Sequence, residues 1–399
     1  MTFLITFTAA GWDFVGEAKN GLHEIWQMPE GGGYPILSTF GSYVPPELSG
    51  EGTPESPYLI SNAAELSSIR HIDPNVHYRL TQNIDLSGTI WSVPVIDEVA
   101  GVLDGNGFAI SNLKIVCDDE CGLIKVIQDS GHISNLGIVD ANVVGMGWST
   151  GILAGSNNGR VTRCYSTGSV SGGNNVGGLL GGNDGEVMMC YSTSSVSGNS
   201  GVGGLVGDNG GEVINCHSAG SVSGICRVGG LVGDNGGEVI YCYSTASVSV
   251  SGTCLAVGGL VGDPYTMQET QGIVNSFWDA ELCGLFECTH RVGLTTAQMQ
   301  TKRTFVYAGW DFVGESVNGT DDIWDICEGL SYPRLRWQIP SADLTCPYGI
   351  TMLDFSILAL AWQSTPTVTN WDPECDLDGD EHIGAGDLAI ACEQWLEGI

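Results

Sequence analysis

The chain reads as an all-β protein, a right-handed parallel β-helix with coils of about 26 residues, followed by a small α-helical domain with EF-hand-type loops. Three observations carry this. Residues 151–250 hold four copies of one pattern: GILAGSNNGRVTRCYSTGSVSG, GGLLGGNDGEVMMCYSTSSVSG, GGLVGDNGGEVINCHSAGSVSG and GGLVGDNGGEVIYCYSTASVSV. Cys164, Cys190, Cys216 and Cys242 recur at one constant interval, and a fifth copy starts at Gly258 before losing the pattern. The tail, 341–399, carries its own duplication, DLTCPYGITMLDFSILALAW against DLDGDEHIGAGDLAIACEQW. A period in the range of about 20–50 residues marks a solenoid, whose repeats bury their apolar faces only by stacking.

Within each repeat the runs are short, alternating, and rich in Val, Ser and Gly, with no helical period, which is strand chemistry with glycine at the corners. Strands recurring in one direction once per coil make parallel sheets, and such crossovers are almost always right-handed. Residues one period apart then form ladders along the axis. Leu153, Leu179, Leu205, Leu231 and Leu260 are expected to stack inward. The asparagine column Asn157, Asn183, Asn209 and Asn235 is expected at a corner, its amides bonded to each other in left-handed backbone. The cysteine column reads as buried small thiols rather than a metal site. The carboxylate column Glu186, Glu212 and Glu238 reads as a solvated face, with a weak calcium edge as the sharper alternative.

The GGLVG-x-N-x-G repeats resemble the GLUG-motif family of large secreted or surface β-helix proteins. The upstream stretches PYLISNAAELSSI, YRLTQNIDLSG and GVLDGNGFAISNLKI are similar to segments that precede such repeats. The resemblance spans roughly residues 50–280. It implies an architecture and an extracellular or cell-surface setting, and no catalytic residues.

In chain order, residues 1–17 (MTFLITFTAAGWDFVGE) align without a gap on residues 299–315 (MQTKRTFVYAGWDFVGE). Residues 1–44 are therefore expected to be the closing segment of a preceding module, and the chain a fragment or a product of an internal Met. Residues 45–57 read as an entry loop, and AAELSSIRHI as a short helix capping the open end. The β-helix is assigned 45–290, a closing cap 291–340 and the tail domain 341–399. Cys117 with Cys121, Cys283 with Cys288, and Cys226 with Cys254 are close enough to bridge, as suits an oxidising compartment. Cys346 and Cys375 flank the two tail loops as another candidate pair.

The formal charge is −33, from 13 basic and 46 acidic residues, which disfavours nucleic acid and anionic membranes as partners. No apolar run is long enough to span a bilayer. The tail holds eleven acidic residues and no Lys or Arg. Its later copy places Asp376, Asp378, Asp380 and Asp387 at positions 1, 3, 5 and 12 of a calcium loop, His382 at 7 as a backbone-carbonyl ligand, and Ile383 at 8. Glu381 stands where glycine is usual, and Asp387 has a shorter arm than the usual Glu. The earlier copy is weaker: Asp343, Thr345 and Asp354 hold positions 1, 3 and 12, with Pro347 at 5.

Duplicated calcium loops, each followed by one apolar helix (DFSILALAW, DLAIACEQW), resemble a type I dockerin. The resemblance implies calcium as cofactor, a cohesin-like module as partner, and a polysaccharide-degrading setting by association. The leading expectation is a non-catalytic, adhesin-like β-helix scaffold. The alternatives are a polysaccharide lyase or glycoside hydrolase, or a glycan-binding module. A lyase needs a basic proton abstractor, and residues 131–290 offer only Arg160, Arg163 and Arg227. A hydrolase needs two carboxylates at suitable spacing, for which Asp208 and Asp234 are candidates. A glycan binder would use Tyr165, Tyr191 and Tyr243 as stacking platforms.

Overall fold

The computed structural model describes residues 26–27, 36–37, 48–69, 73–252, 256–264, 272–284 and 293–397. Within Leu48–Ile399 the chain is a parallel β-solenoid of about seven coils. One sheet of nine strands runs from Tyr58–Ile60 to Ile273–Val274, and one of seven from Ile96–Val99 to Val261–Pro264. A five-stranded sheet (Thr150–Gly151 to Val257–Gly258) and a branched thirteen-stranded sheet complete the walls. Every described pairing between coils is parallel, with Val161 on Val187, Val187 on Val213 and Val213 on Val239. The fixed period is local to these repeats. Leu103 pairs with Ile133 and Val239 with Ile273, both more than one period on, because the outer coils carry longer corner loops.

The core follows the ladders. Leu153, Leu179, Leu205, Leu231 and Leu260 are all buried, as expected of an inward aliphatic stack. The helical piece expected at the start is the single turn Ala63–Leu66, N-capped by the Asn62 side chain, with Leu66 buried in the same core. A strand, Tyr58–Ile60, precedes it and pairs with His77–Leu80, so the first coil starts ahead of this helical turn.

Two columns define the chemistry of the corners. Asn157, Asn183, Asn209 and Asn235 form the expected amide ladder, each Nδ2 donating to the next Oδ1 at 2.7 Å. They do not adopt left-handed backbone. That conformation falls instead on Asn135, Arg163, Met189, Asn215, Tyr241 and Asn275, with φ between 47° and 53°. The next residue in the four repeats is the column cysteine. The N–H groups of Cys164, Cys190 and Cys216 point at the sulfur one coil on, 3.3 Å away, and that of Cys242 at Ser276 Oγ, 3.0 Å away. Each Sγ in turn donates to the carbonyl two residues back, at 3.1–3.3 Å. The thiol column is therefore structural and hydrogen-bonded, and burial pushes the Cys164, Cys190 and Cys216 thiols far up.

The closing segment differs from its expectation as an end cap. It lies along the flank of the solenoid. Tyr165, Tyr191, His217 and Tyr243 stack outward at centroid spacings of 5.1, 5.0 and 4.9 Å. Phe305, Trp310, Phe312, Trp324 and Leu335 pack over Tyr243, with Tyr191 and Phe277 at the edges of the cluster. Three indoles bind the left-handed corners: Trp310 donates to the Asn275 carbonyl, Trp324 to Asn215 Oδ1 and Trp337 to the Met189 carbonyl. An exposed ladder of rings would leave apolar surface in water, and this segment removes it.

The unit Met1–Glu47 is described only at Trp26–Gln27 and Ile36–Leu37. These pair antiparallel, Trp26 on Leu37, as Trp324 pairs with Leu335 in the corresponding part of the later copy. The 1–17 alignment itself lies outside the described residues.

Candidate functional site

The tail, 341–397, folds as two helices, Met352–Leu360 and Ala385–Glu397, over a small core of Leu358, Ala361, Cys375, Ile383 and Ala391. Both loops run into a helix whose first turn carries an aspartate. Asp354 Oδ1 accepts from the Leu344 N–H and Thr345 Oγ1, and its Oδ2 from Thr351 N and Oγ1. Asp387 repeats this arrangement in the second loop, accepting from the N–H groups of Leu377 and Gly384, both at 2.6 Å. Burial raises the Asp354 carboxyl, but the bonds from Thr351, Thr345 and Leu344 outweigh it and hold the group below the usual range.

Of the sequence-predicted ligands, Asp376, Asp378 and Asp380 come together, each offering an oxygen within 4.8 Å of the others. The loop backbone sets this geometry. Asp376 accepts from the N–H groups of Asp380 and Glu381, while Asp380 accepts from His382 N–H. Glu381, in place of the usual glycine, takes φ 62°. Desolvation and the charges of Asp387, Asp380 and Asp376 raise the Asp378 carboxyl. Asp387 is not brought into the cluster: it is fully buried and its oxygens are taken by backbone donors. His382 is exposed.

The earlier loop does not gather a cluster among the described residues. Asp343 is buried and accepts from Gly349 N–H, Asp354 is committed as above, and Thr345 donates to Asp354. Burial and the nearby Asp354 raise the Asp343 carboxyl. Cys346 bridges Cys327 of the closing segment rather than Cys375, which is a buried free thiol. Nothing in the sequence singled out Cys327 as its partner. The Cys117–Cys121 bridge is present. Cys226 is also disulfide-bonded, while Cys254 and Cys288 lie outside the described residues.

On the solenoid, the carboxylate column is a solvated face: Glu212 and Glu238 are exposed, and Arg160 pairs with Glu186 at 2.7 Å. Asp208 and Asp234 stand opposite each other on adjacent coils. Asp234 is ion-paired with Arg227 at 2.6 Å, and Asn175 donates to Asp208, whose carboxyl is raised by burial and by Asp234. Two of the three candidate lyase arginines, Arg160 and Arg227, are thus tied to carboxylates. Of the tyrosines proposed as platforms, Tyr243 is buried and its hydroxyl donates to the Pro333 carbonyl, so it presents no face to a ligand. Among the described residues no helix is long and apolar enough to cross a membrane.

No family model matches the chain. Over 153 residues, 35% of its length, it is 37% identical to "Halomucin" of Haloquadratum walsbyi. Over 124 residues it is 36% identical to a "Putative Gly-rich membrane protein" of Evansella cellulosilytica. The chain spans 2% and 14% of the lengths of these two relatives. Among solved structures it is similar to a "putative immunoglobulin A1 protease" from Bacteroides ovatus, with a TM-score of 0.55 and 22% identity, covering 72% of this chain and 94% of that one. At that identity the similarity establishes the fold, a β-solenoid, and nothing of activity.

Proposed function

We propose that the chain is part of a non-catalytic, extracellular or cell-surface scaffold. In this reading a right-handed β-helix of GLUG type is the adhesin-like body, and a dockerin-like tail anchors it to a cohesin-like module when calcium is bound. The observation that carries the reading is on the two tail helices. Met352, Leu360 and Leu396 are 69%, 74% and 71% exposed, and Leu353 and Leu388 are also exposed. A small domain that leaves this many large apolar side chains in water fits a docking surface. The helices begin at the two aspartate-bearing loops, so ordering a loop orients the helix that follows it.

The donor set favours calcium over a softer ion. Asp376, Asp378 and Asp380 are all-oxygen ligands, and hard cations of flexible coordination take such sets. The His382 carbonyl would add a further oxygen. Asp387 fits only in part, since its carboxylate now clamps the loop to the helix N-terminus. The loop around Asp343, Thr345 and Asp354 would be the weaker binder, because Asp354 is already committed to backbone and hydroxyl donors and Pro347 at position 5 offers no side-chain oxygen.

The test is calorimetric titration of calcium into the full chain and into the Asp376→Ala/Asp378→Ala variant, with helix content followed by circular dichroism. Uptake of about one ion, abolished in the variant, is expected. Unchanged uptake in the variant, or none in the parent, sinks the anchoring model.

A further inference from the structure

The three tryptophans that hold the closing segment meet the corner column at Asn275, Asn215 and Met189, and there they stop. The same column continues through Arg163 and Asn135, still in left-handed backbone, with no tryptophan bonded to it among the described residues. The aromatic column beside it also ends here. Tyr165 pairs with Gly137, which has no ring to extend the stack, and a Cβ at that glycine would sit 2.4 Å from the Tyr165 ring. The result is an open cleft of about 500 Å³. Tyr165, Tyr191 and Trp337 line it together with Asn106, Asn135 and Arg163. Trp337 tilts over both tyrosines, with centroids 6.2 and 5.7 Å away.

The chemistry of this lining is specific. Tyr191 is sandwiched between Tyr165 and His217, so the flat apolar faces are those of Tyr165 and Trp337, held in place by stacking and by the Trp337 bond to Met189. Amide, guanidinium and phenol groups stand around them, with Gln338 at the rim. The Asn135 amide nitrogen donates to Asp104 at 3.0 Å, which leaves its oxygen as the acceptor offered to a ligand. A ligand that matches must itself have an apolar face ringed by hydroxyls, which describes a pyranose sugar. Convergent polar groups around an aromatic floor are the ordinary composition of a small-molecule site. Among the described residues no carboxylate lines the cleft, and the chain's charge of −33 repels polyanions at long range. We infer that the end of the aromatic column beyond Trp337 is a binding site for a neutral pyranose glycan, with Tyr165 and Trp337 as stacking platforms and Asn135 and Arg163 as hydroxyl partners. This site does not depend on calcium or on the tail.

The test uses the full chain, titrated with cello-, xylo-, manno- and galacto-hexaoses and with oligogalacturonate, read by calorimetry and tryptophan fluorescence. At least one neutral hexaose should bind saturably and shift the Trp337 emission. Tyr165→Ala should weaken that binding about tenfold or more, in line with loss of one stacking contact. Asn135→Gly keeps the left-handed backbone and removes only the side-chain amide, so it serves if Tyr165→Ala does not fold, and should weaken binding several-fold. Trp148→Ala, an exposed ring elsewhere, should leave the affinity unchanged. The inference is overturned if no neutral hexaose binds, if only oligogalacturonate does, or if neither Tyr165→Ala nor Asn135→Gly weakens binding. It is also overturned if a peptide of residues 299–337 binds this cleft and no sugar does, which would make the open corner a protein interface.

Discussion

His217 is the one titratable imidazole of the aromatic column, and it should make the fold acid-sensitive in a calculable way. It is stacked between Tyr191 and Tyr243 and is only 7% exposed. Burial depresses it from 6.5 to about 4, with Arg334 adding to the fall and the bond to Gln338 opposing it. A histidine with a lowered native pKa stabilises the fold fully above the unfolded value. That contribution is lost as pH falls through 6.5, and the loss levels off near pH 4. A fall of this size corresponds to a limiting loss of about 3 kcal/mol, of which about 2–3 kcal/mol is already gone at pH 4.5 relative to pH 7.5. The perturbation is His217→Phe, which keeps a ring in the stack and removes the proton site. Carboxylates titrate in the same range, so the quantity to measure is the difference between parent and variant. Urea unfolding at pH 7.5 and 4.5, followed by the fluorescence of Trp310, Trp324 and Trp337, supplies it. The variant should lose about 2–3 kcal/mol less than the parent on acidification. Losses equal to within about 0.5 kcal/mol, the limit to which independent stability changes add, would refute the assignment of a buried neutral imidazole.

Three further outcomes follow from the ladders. Cys190→Ser should change stability by less than about 1 kcal/mol, because Ser276 already makes the same accepting and donating bonds at this column position; Cys190→Val should cost about 1–3 kcal/mol by stranding the Cys164 N–H. Asn209→Ala should cost about 2–4 kcal/mol in urea unfolding, since it removes one acceptor of the Asn183 amide and the donor to the Asn235 side-chain oxygen in a buried row. Trp324→Ala should cost about 3–5 kcal/mol from the flank cluster and speed proteolysis within 293–339.

The repeat period was legible because a coil-forming chain writes its stacking partners at a fixed offset. The Val, Leu, Asn and Cys columns could be read from it directly. The left-handed corner could not. It falls on Arg163, Met189, Asn215 and Tyr241, four residue types with no shared preference, at the position just before each column cysteine. Asn157 and its partners looked like the corner because asparagine tolerates that backbone, yet their amides are held straight by the row itself. In the tail, spacing found Asp376, Asp378 and Asp380, which the loop brings together. It placed Asp387 with them because spacing alone does not reveal that three backbone donors already claim that carboxylate.

The lateral position of the closing segment follows from the same columns, although the repeat pattern alone suggested an end cap. A stack with rings at Tyr165, Tyr191, His217 and Tyr243 on an outward face is a strip of apolar surface that a stable monomer has to cover. The corner beside it presents one carbonyl or amide oxygen per coil that the sheets do not use. A segment carrying indoles at intervals meets both needs, since each indole has an apolar body and one N–H. Trp310, Trp324 and Trp337 do this at three corners, and Trp310 also packs edge-on against Tyr241 at the fourth. Cover therefore extends as far as the tryptophans reach. At Tyr165, over which the last of them tilts, the solenoid keeps a half-buried aromatic edge beside the corners of Arg163 and Asn135. On the reading of a glycan site there, the reach of the closing segment and the missing ring at Gly137 together set which coil would meet the ligand.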